Sequence, residues 1–340
     1  MGVRHEPSGA GDSVGLDDLA PSAGAAVGEI TGRWSALTWV RRLAMVIFLG
    51  VAVAVLLLNV KKSESAATAI AHARPGWIAA VVLSTIATYA LAAGCTLGST
   101  SIRLNPSKTV VMQVASSFVN RFVPGGVGGA VLNVRFVEQA GARRTAAITA
   151  NVLNAAAGLA AHLAIFLAFV PLFGGVHRDI DAPDDSAVFA VVLVGLIGVG
   201  AAAWIRWIPH HWKGHVAVMR QATADALTSP RRVVLLLGGS AGQTLAHGVG
   251  LWCALRAVGA PVTFADVMIV YLVAGAAGAI SPTPGGLGAI EVALVAGLTQ
   301  TGTLATSASA AVLVYRIVSY WLPVIPGFVA FRWLRRTGAV

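Results

Sequence analysis

The stretch "SPTPGGLGAIE", residues 281–291, decides how this chain is read. It follows a long, almost purely apolar run, where a membrane helix would be expected to continue. Proline removes a backbone donor and glycine loosens a helix, so two prolines and three glycines are poor material for the middle of a span. A break of this composition at membrane depth is tolerated only where protein or a wet cavity surrounds it. Glu291, at the end of the stretch, is costly in hydrocarbon and calls for a partner or a cavity.

The bulk composition places the chain in a membrane. Of 340 residues, 56% are hydrophobic and 11% charged, and the mean hydropathy is +0.77, a balance soluble domains rarely approach. Short polar links separate the apolar runs, so the hydrophobic content is distributed as spans. Full spans are expected at 40–59, 76–98, 145–173, 187–207, 231–257 and 304–331, each able to cross about 30 Å of hydrocarbon. Two weaker regions, 106–139 and 264–300, each read as an apolar helix, a Pro-Gly-Gly turn and a second amphipathic stretch. Both fit helical hairpins that enter the membrane and return on the same side. The expected fold is an all-α polytopic membrane protein: about six full transmembrane helices plus two re-entrant helical hairpins. Residues 1–35, rich in Gly, Ala, Ser, Pro and Asp without periodicity, read as a disordered cytoplasmic tail, and 36–336 as the transmembrane domain.

Charge sets the orientation. The formal net charge is +10, but the Lys and Arg sit at the ends of apolar runs, where anionic lipid and the insertion rules favour them. They do not cluster on one folded face, so no nucleic-acid partner is expected. Both termini inside puts Arg103, Lys108, Arg143, Arg144, Arg231, Arg232, Arg332, Arg335 and Arg336 in the cytoplasm, as the positive-inside tendency requires. Lys61, Lys62 and Arg74 then fall outside, against it. The expected location is the cell membrane.

The two broken regions resemble each other. "VPGGVGGAVL" from Val123 aligns with "TPGGLGAIEV" from Thr283, and Pro75 with Pro230 and Gln139 with Gln300 keep nearly the same offset. A duplication explains this register, with repeat one at about 75–173, a linking span at 187–207 and repeat two at about 230–332. One linking span between halves of two crossings makes the repeats inverted, as in transporters whose substrate sites lie where broken helices meet.

A helix restarting inside a membrane presents free N–H groups and a positive dipole end, which suits an anion. Pro124, Gly125, Gly126, Gly128 and Gly129 form one such turn; Pro284, Gly285, Gly286 and Gly288 form the other. Close helix packing is the competing reading of these glycines, as for Gly94-xxx-Gly98 and Gly238-xxx-Gly242. Asn120, Arg121, Asn133 and Arg135 flank the first turn, Asn151, Asn154 and His162 line the next span, and Glu291, Tyr315 and Arg316 attend the second. An Arg fork suits a phosphate. Equally, Glu291 and Arg316 fit a structural ion pair, and Arg121 and Arg135 fit snorkelling to the interface. Gln243 and His247 read as interhelical hydrogen bonders. Position 131, the counterpart of Glu291, is valine, so the paired site is asymmetric in charge.

Other chemistry finds little foothold. The two cysteines, Cys95 and Cys253, read as packed thiols. "HHWKGH" at His210–His215 reads as cytoplasmic rim, and Asp181–Asp185 as a solvated loop, with a membrane-embedded transferase using Asp184 and Asp185 as the rival reading. There is no GxxxxGK, GxSxG or HExxH, so no cofactor or metal is expected.

"NRFVPGGVGGAVLNVRF", "SPTPGGLGAIE" and "VYRIVSYWLPVIPGFVAF" resemble the lysylphosphatidylglycerol synthase transmembrane-region family, the flippase-like domain, in its actinobacterial form, over about residues 40–336. The resemblance implies a domain with two re-entrant helices that moves an anionic or aminoacylated phospholipid between leaflets. Fused relatives carry a soluble synthase domain after it. This chain ends at Val340, so no synthase activity is expected, and a separate lipid-modifying enzyme is a candidate partner beside membrane lipids. Some relatives carry glycolipid or prenyl-phosphosugar labels, which leaves the head group open. A non-transporting partner subunit is a further alternative.

Overall fold

In a computed structural model, residues 64–123, 127–173, 224, 228–280 and 283–340 are described, all within the unit Val55–Val340. The expected tail 1–35, the spans 40–59 and 187–207, the His210–His215 cluster and the Asp181–Asp185 loop lie outside these residues. So does the turn Pro124, Gly125 and Gly126. Among the described residues every regular element is helical.

The chain forms α1 (Glu64–Ala71), α2 (Pro75–Ser99), α3 (Pro106–Asn120), α4 (Val127–Gln139) and α5 (Arg144–Phe173). Next comes α6, which runs as Pro230–Val233, a π turn Val234–Gly238 and Gly239–Ala257. Then follow α7 (Phe264–Ile280), a 3₁₀ turn Pro284–Gly286, α8 (Ala289–Gln300), α9 (Ala305–Arg316), a π turn Ile317–Trp321 and α10 (Val324–Arg336). Prolines open α2 and α3 at their first helical positions, where the missing N–H costs nothing. Asn105 caps α3 by accepting the Lys108 N–H at 3.1 Å.

Among the described residues three helices are long and apolar enough to cross a membrane: Pro75–Ser99, Arg144–Phe169 and the continuous Ala305–Arg336. Each coincides with an expected span. α6 matches the expected 231–257 in length but carries Ser240, Gln243, Thr244 and His247 along its course, which dilutes its apolar character. The weak regions resolve into short helices. At 1.5 Å per residue, the 15 residues of α3 and the 12 of α8 fall well short of about 30 Å.

Large apolar side chains face outward, and hydroxyl and other polar groups are buried among apolar ones inside. On α2, Leu83 and Ile86 are 66% and 58% exposed, whereas Ser84, Thr85, Thr88, Thr96 and Ser99 are buried. The hydroxyls of Ser84, Thr85 and Thr88 donate to carbonyls three or four residues back, which satisfies them in the interior. Ile148, Leu159 and Leu167 on α5 and Ile325, Phe328 and Val329 on α10 are likewise exposed. In water this arrangement would be penalised by the hydrophobic effect; against lipid tails it is free.

Two apolar clusters mark the two ends. At one, Leu104, Val137, Ala147 and Leu334 pack together, with Ala142 and Val340 against them. At the other, Leu255, Ala260, Val267, Leu298 and Ala308 meet, with Trp77 and Val258 alongside. The approaches to α3 and the exit of α4 therefore share the first end. The start of α7 and the exit of α8 share the second. Arg103, Arg143, Arg144, Arg335 and Arg336 gather at the first end, beside Leu104, Ala142 and Leu334.

α2 and α6 form the tightest pair, through glycine. A Cβ on Gly98 would stand 2.6 Å from the Leu236 nitrogen and 2.7 Å from the Arg232 carbonyl oxygen. On the facing helix the contact residue is Gly239, whose Cβ would lie 2.8 Å from Leu91 O and Cys95 Sγ, while Gly238 has open space around it. The expected Gly238-xxx-Gly242 register is thus displaced by one residue at the start of the motif. The π turn Val234–Gly238 supplies the reason, because a wider turn rotates the helix beyond it.

Candidate functional site

A cavity of about 610 Å³ lies between the broken elements, and every helix from α2 to α9 contributes to its wall. α3 supplies Gln113, Ser116, Ser117 and Asn120; α4 supplies Gly129 and Asn133; α5 supplies Asn151, Asn154 and Gly158. From the second half come Gln243, His247, Tyr271, Gly285, Tyr315 and Arg316, with Ser319 and Tyr320 from the π turn. Most of the lining residues carry polar side chains, although the outer surface of the same helices is apolar.

Two arginines dominate it. Arg121 is 6% exposed and Arg316 8%. Arg121 Nη1 donates to Ser117 Oγ at 2.9 Å and Nη2 to the Ser319 carbonyl oxygen at 3.3 Å. That carbonyl is open for a sequence reason. Its helical donor would be the N–H of residue 323, which is a proline, and the helix widens into a π turn there, closing Leu322 N–H onto Ile317 O at 2.8 Å. Arg316 Nε donates to Glu291 Oε1 at 2.5 Å. Both guanidiniums lie over the Tyr320 ring, at 4.9 Å for Arg121 and 4.5 Å for Arg316. Arg121 Nε and Arg316 Nη2 are buried with no hydrogen-bond partner, as is Asn133 Oδ1. Buried donors of this kind carry a desolvation penalty that a ligand oxygen would relieve.

The glycines divide by role. Gly285, Gly286 and Gly288 have φ of 62°, 66° and 86°, a left-handed run that only glycine enters cheaply. Gly285 lies against Tyr320, and Gly286 against Ile290 and Gly278. Gly128 packs on Val119 and Val123. The free N–H groups expected at the two helix starts are partly taken within the protein: Gly129 N–H donates to Asn120 Oδ1 at 2.6 Å, and Gly288 N–H to Glu291 Oε2 at 2.7 Å. Both breaks thus use a side-chain oxygen to satisfy the restarting helix, an amide in the first and a carboxylate in the second. Glu291 does two jobs, capping α8 and holding Arg316.

The structure brings Asn120, Arg121, Gly129, Asn133, Gly285, Tyr315 and Arg316 to one cavity. Arg135 is exposed and stands apart from the wall. His162 contacts the Leu272 carbonyl at 3.0 Å and ties α5 to α7. His247 Nδ1 meets Tyr315 Oη at 3.1 Å, joining α6 to α9, while its ring stacks 5.9 Å from that of Tyr271. Sequence reasoning passed over Ser117, Ser319 and Tyr320. The spacing Arg316-xxx-Tyr320 carries a signal, since residues four apart on a helix are neighbours.

Fold and site together define a polytopic α-helical membrane protein with a buried, cation-bearing cavity. The chain belongs to the family described as lysylphosphatidylglycerol synthase TM region, which matches residues 42–327. No curated protein matches the sequence. The family points to a membrane lipid-related role.

Proposed function

We propose that this protein is a lipid translocase that moves an anionic, aminoacylated or glycosylated phospholipid, or a prenyl-phosphate lipid, between leaflets. The observation that carries the reading is the pair of buried arginines, each with an unsatisfied N–H, in a polar cavity enclosed by helices whose outer faces are apolar. About 610 Å³ suits a phospholipid head group, within the range of small-molecule sites. Arg121 and Arg316 bind the phosphate, Tyr320 holds both in place, and the acyl chains remain in lipid.

The short pairs α3/α4 and α7/α8 act as re-entrant hairpins. That each pair starts and finishes at its own end of the molecule supports the inverted-repeat reading, with rocking of one repeat against the other exposing the cavity alternately. Clustered arginines at the α3 and α10 end support a cytoplasmic C-terminus in the cell membrane. A separate lipid-modifying enzyme supplies the lipid.

Reconstitution into liposomes with leaflet-resolved detection of labelled lipids tests this. Accelerated flip of at least one phosphate-bearing lipid is expected, lost in Arg121→Gln. Flip no faster than in empty liposomes across a broad lipid panel would sink the reading.

A further inference from the structure

The charges around the cavity count its ligand. Among the described residues that line it, Arg121 and Arg316 carry the only formal charges. Arg316 is already neutralised by Glu291, whose second oxygen is fixed on the Gly288 N–H and is not free to swing away. Among the described residues Arg121 has no carboxylate partner: it donates to the Ser117 hydroxyl and the Ser319 carbonyl. The described wall therefore carries one net positive charge, with a buried unbonded donor on each arginine, Arg121 Nε and Arg316 Nη2. Two donors and one charge match the two non-bridging oxygens and single charge of a phosphodiester. A phosphomonoester or diphosphate would bring at least one further negative charge into a buried site, where an uncompensated charge is heavily penalised. Asn133 Oδ1, buried and without a partner on the same wall, calls for a donor beside the phosphate, such as a hydroxyl or ammonium.

We infer that the cavity selects lipids whose head group carries a single negative charge on a phosphodiester, and that Glu291 is the residue that sets this count. The inference rests on the lipid-binding reading of the cavity and not on transport itself. Removing the carboxylate raises the site to two positive charges and opens it to dianionic head groups.

Equilibrium binding to the purified full-length protein in detergent, with fluorescent phosphatidylglycerol and phosphatidic acid as probes, tests it. The second ionisation of a phosphomonoester falls at about 6, so phosphatidic acid is a monoanion at pH 5 and a dianion at pH 8, while phosphatidylglycerol stays singly charged. At pH 8 the wild type is expected to prefer phosphatidylglycerol by about tenfold or more, the usual scale of a lost charge match. The preference should shrink towards parity at pH 5. His247, Tyr271, Tyr315 and Tyr320 also face the cavity; at pH 5 the two lipids carry equal charge, so a change in these groups acts on both alike there, and a His247→Gln control that keeps the pH dependence of the ratio assigns it to lipid charge. Glu291→Gln should abolish or invert the preference at pH 8. If that variant does not fold, the wild-type ratio at the two pH values decides alone. Equal binding of the two lipids at pH 8, or a ratio indifferent to pH, overturns the inference. Discrimination without flip in liposomes would refute the translocase and leave this inference standing; flip of both lipids alike at pH 8 would do the reverse.

Discussion

Gly285→Ala probes the site where backbone and cavity meet. Gly285 has φ of 62°, and an alanine forced into that region costs about 1–2 kcal/mol. The added Cβ would also stand 2.6 Å from Tyr320 Cε2 and 2.7 Å from its phenolic oxygen. A ring can move, so the steric cost is set by what holds Tyr320, namely the two guanidiniums at 4.9 and 4.5 Å. Displacing it adds about 1–3 kcal/mol from overpacking and lost cation–π contact. Gly302 separates the two parts: its φ is 83°, and a Cβ there meets nothing within 4 Å. Gly302→Ala is therefore expected to cost only the backbone strain, about 1–2 kcal/mol. Denaturation in a fixed detergent, followed by ellipticity, should rank wild type above Gly302→Ala above Gly285→Ala, with lipid flip reduced only in the last. In a double-mutant cycle Tyr320→Ala should erase the excess cost of Gly285→Ala, giving a coupling of about 1–3 kcal/mol. Additivity within about 0.5 kcal/mol would refute the contact and, with it, the role of Tyr320 as the common seat of both arginines.

Gly98→Ala places a Cβ against two backbone atoms of α6, so the helices must part at a cost of about 1–3 kcal/mol; Gly158→Ala, in open space, should be neutral or stabilising by up to about 1 kcal/mol in the same denaturation. Arg121→Gln and Arg316→Gln should each slow flip of an anionic lipid by about tenfold or more, as loss of a buried charge-assisted contact implies, whereas the exposed Arg135→Gln should leave the rate unchanged. Pro323→Ala returns an N–H to the Ser319 carbonyl and takes that acceptor from Arg121; thermal stability is expected to hold or rise while flip falls, and a parallel loss of both would refute the assignment.

Hydropathy alone located α2, α5 and the α9–α10 span, because bilayer thickness forces long apolar runs that few other folds produce. The breaks were legible for the same reason, since Pro-Gly-Gly has no other business in such a run. Less legible was how the breaks are satisfied. Nothing in the spacing of Asn120 and Gly129 announces that an amide will take the glycine N–H, and the double engagement of Glu291 depends on where α9 lies relative to α8. The sequence reading expected an anion at the two helix starts, helped by Arg121, Arg135 or Arg316; the structure closes the Gly129 and Gly288 N–H groups onto Asn120 and Glu291 and leaves unbonded donors on Arg121 and Arg316. Gly239 in place of Gly238 escaped detection because a π turn shifts register without leaving a composition signal.

The positions that weaken the helices are the ones that equip the cavity. Pro323 brings no N–H to the π turn before α10 and thereby leaves the Ser319 carbonyl to orient Arg121. The left-handed glycines between α7 and α8 let the turn fold back so that Gly285 approaches Tyr320. A straight helix through either place would be more stable, and it would fill the cavity with its own backbone hydrogen bonds, leaving no free acceptor to aim a guanidinium. Local instability at these points is thus the structural condition for holding two cations close to one aromatic ring in a low-dielectric interior. Glu291 limits the cost by neutralising one of them, which leaves Arg121 as the cation without a carboxylate partner among the described residues of the cavity wall.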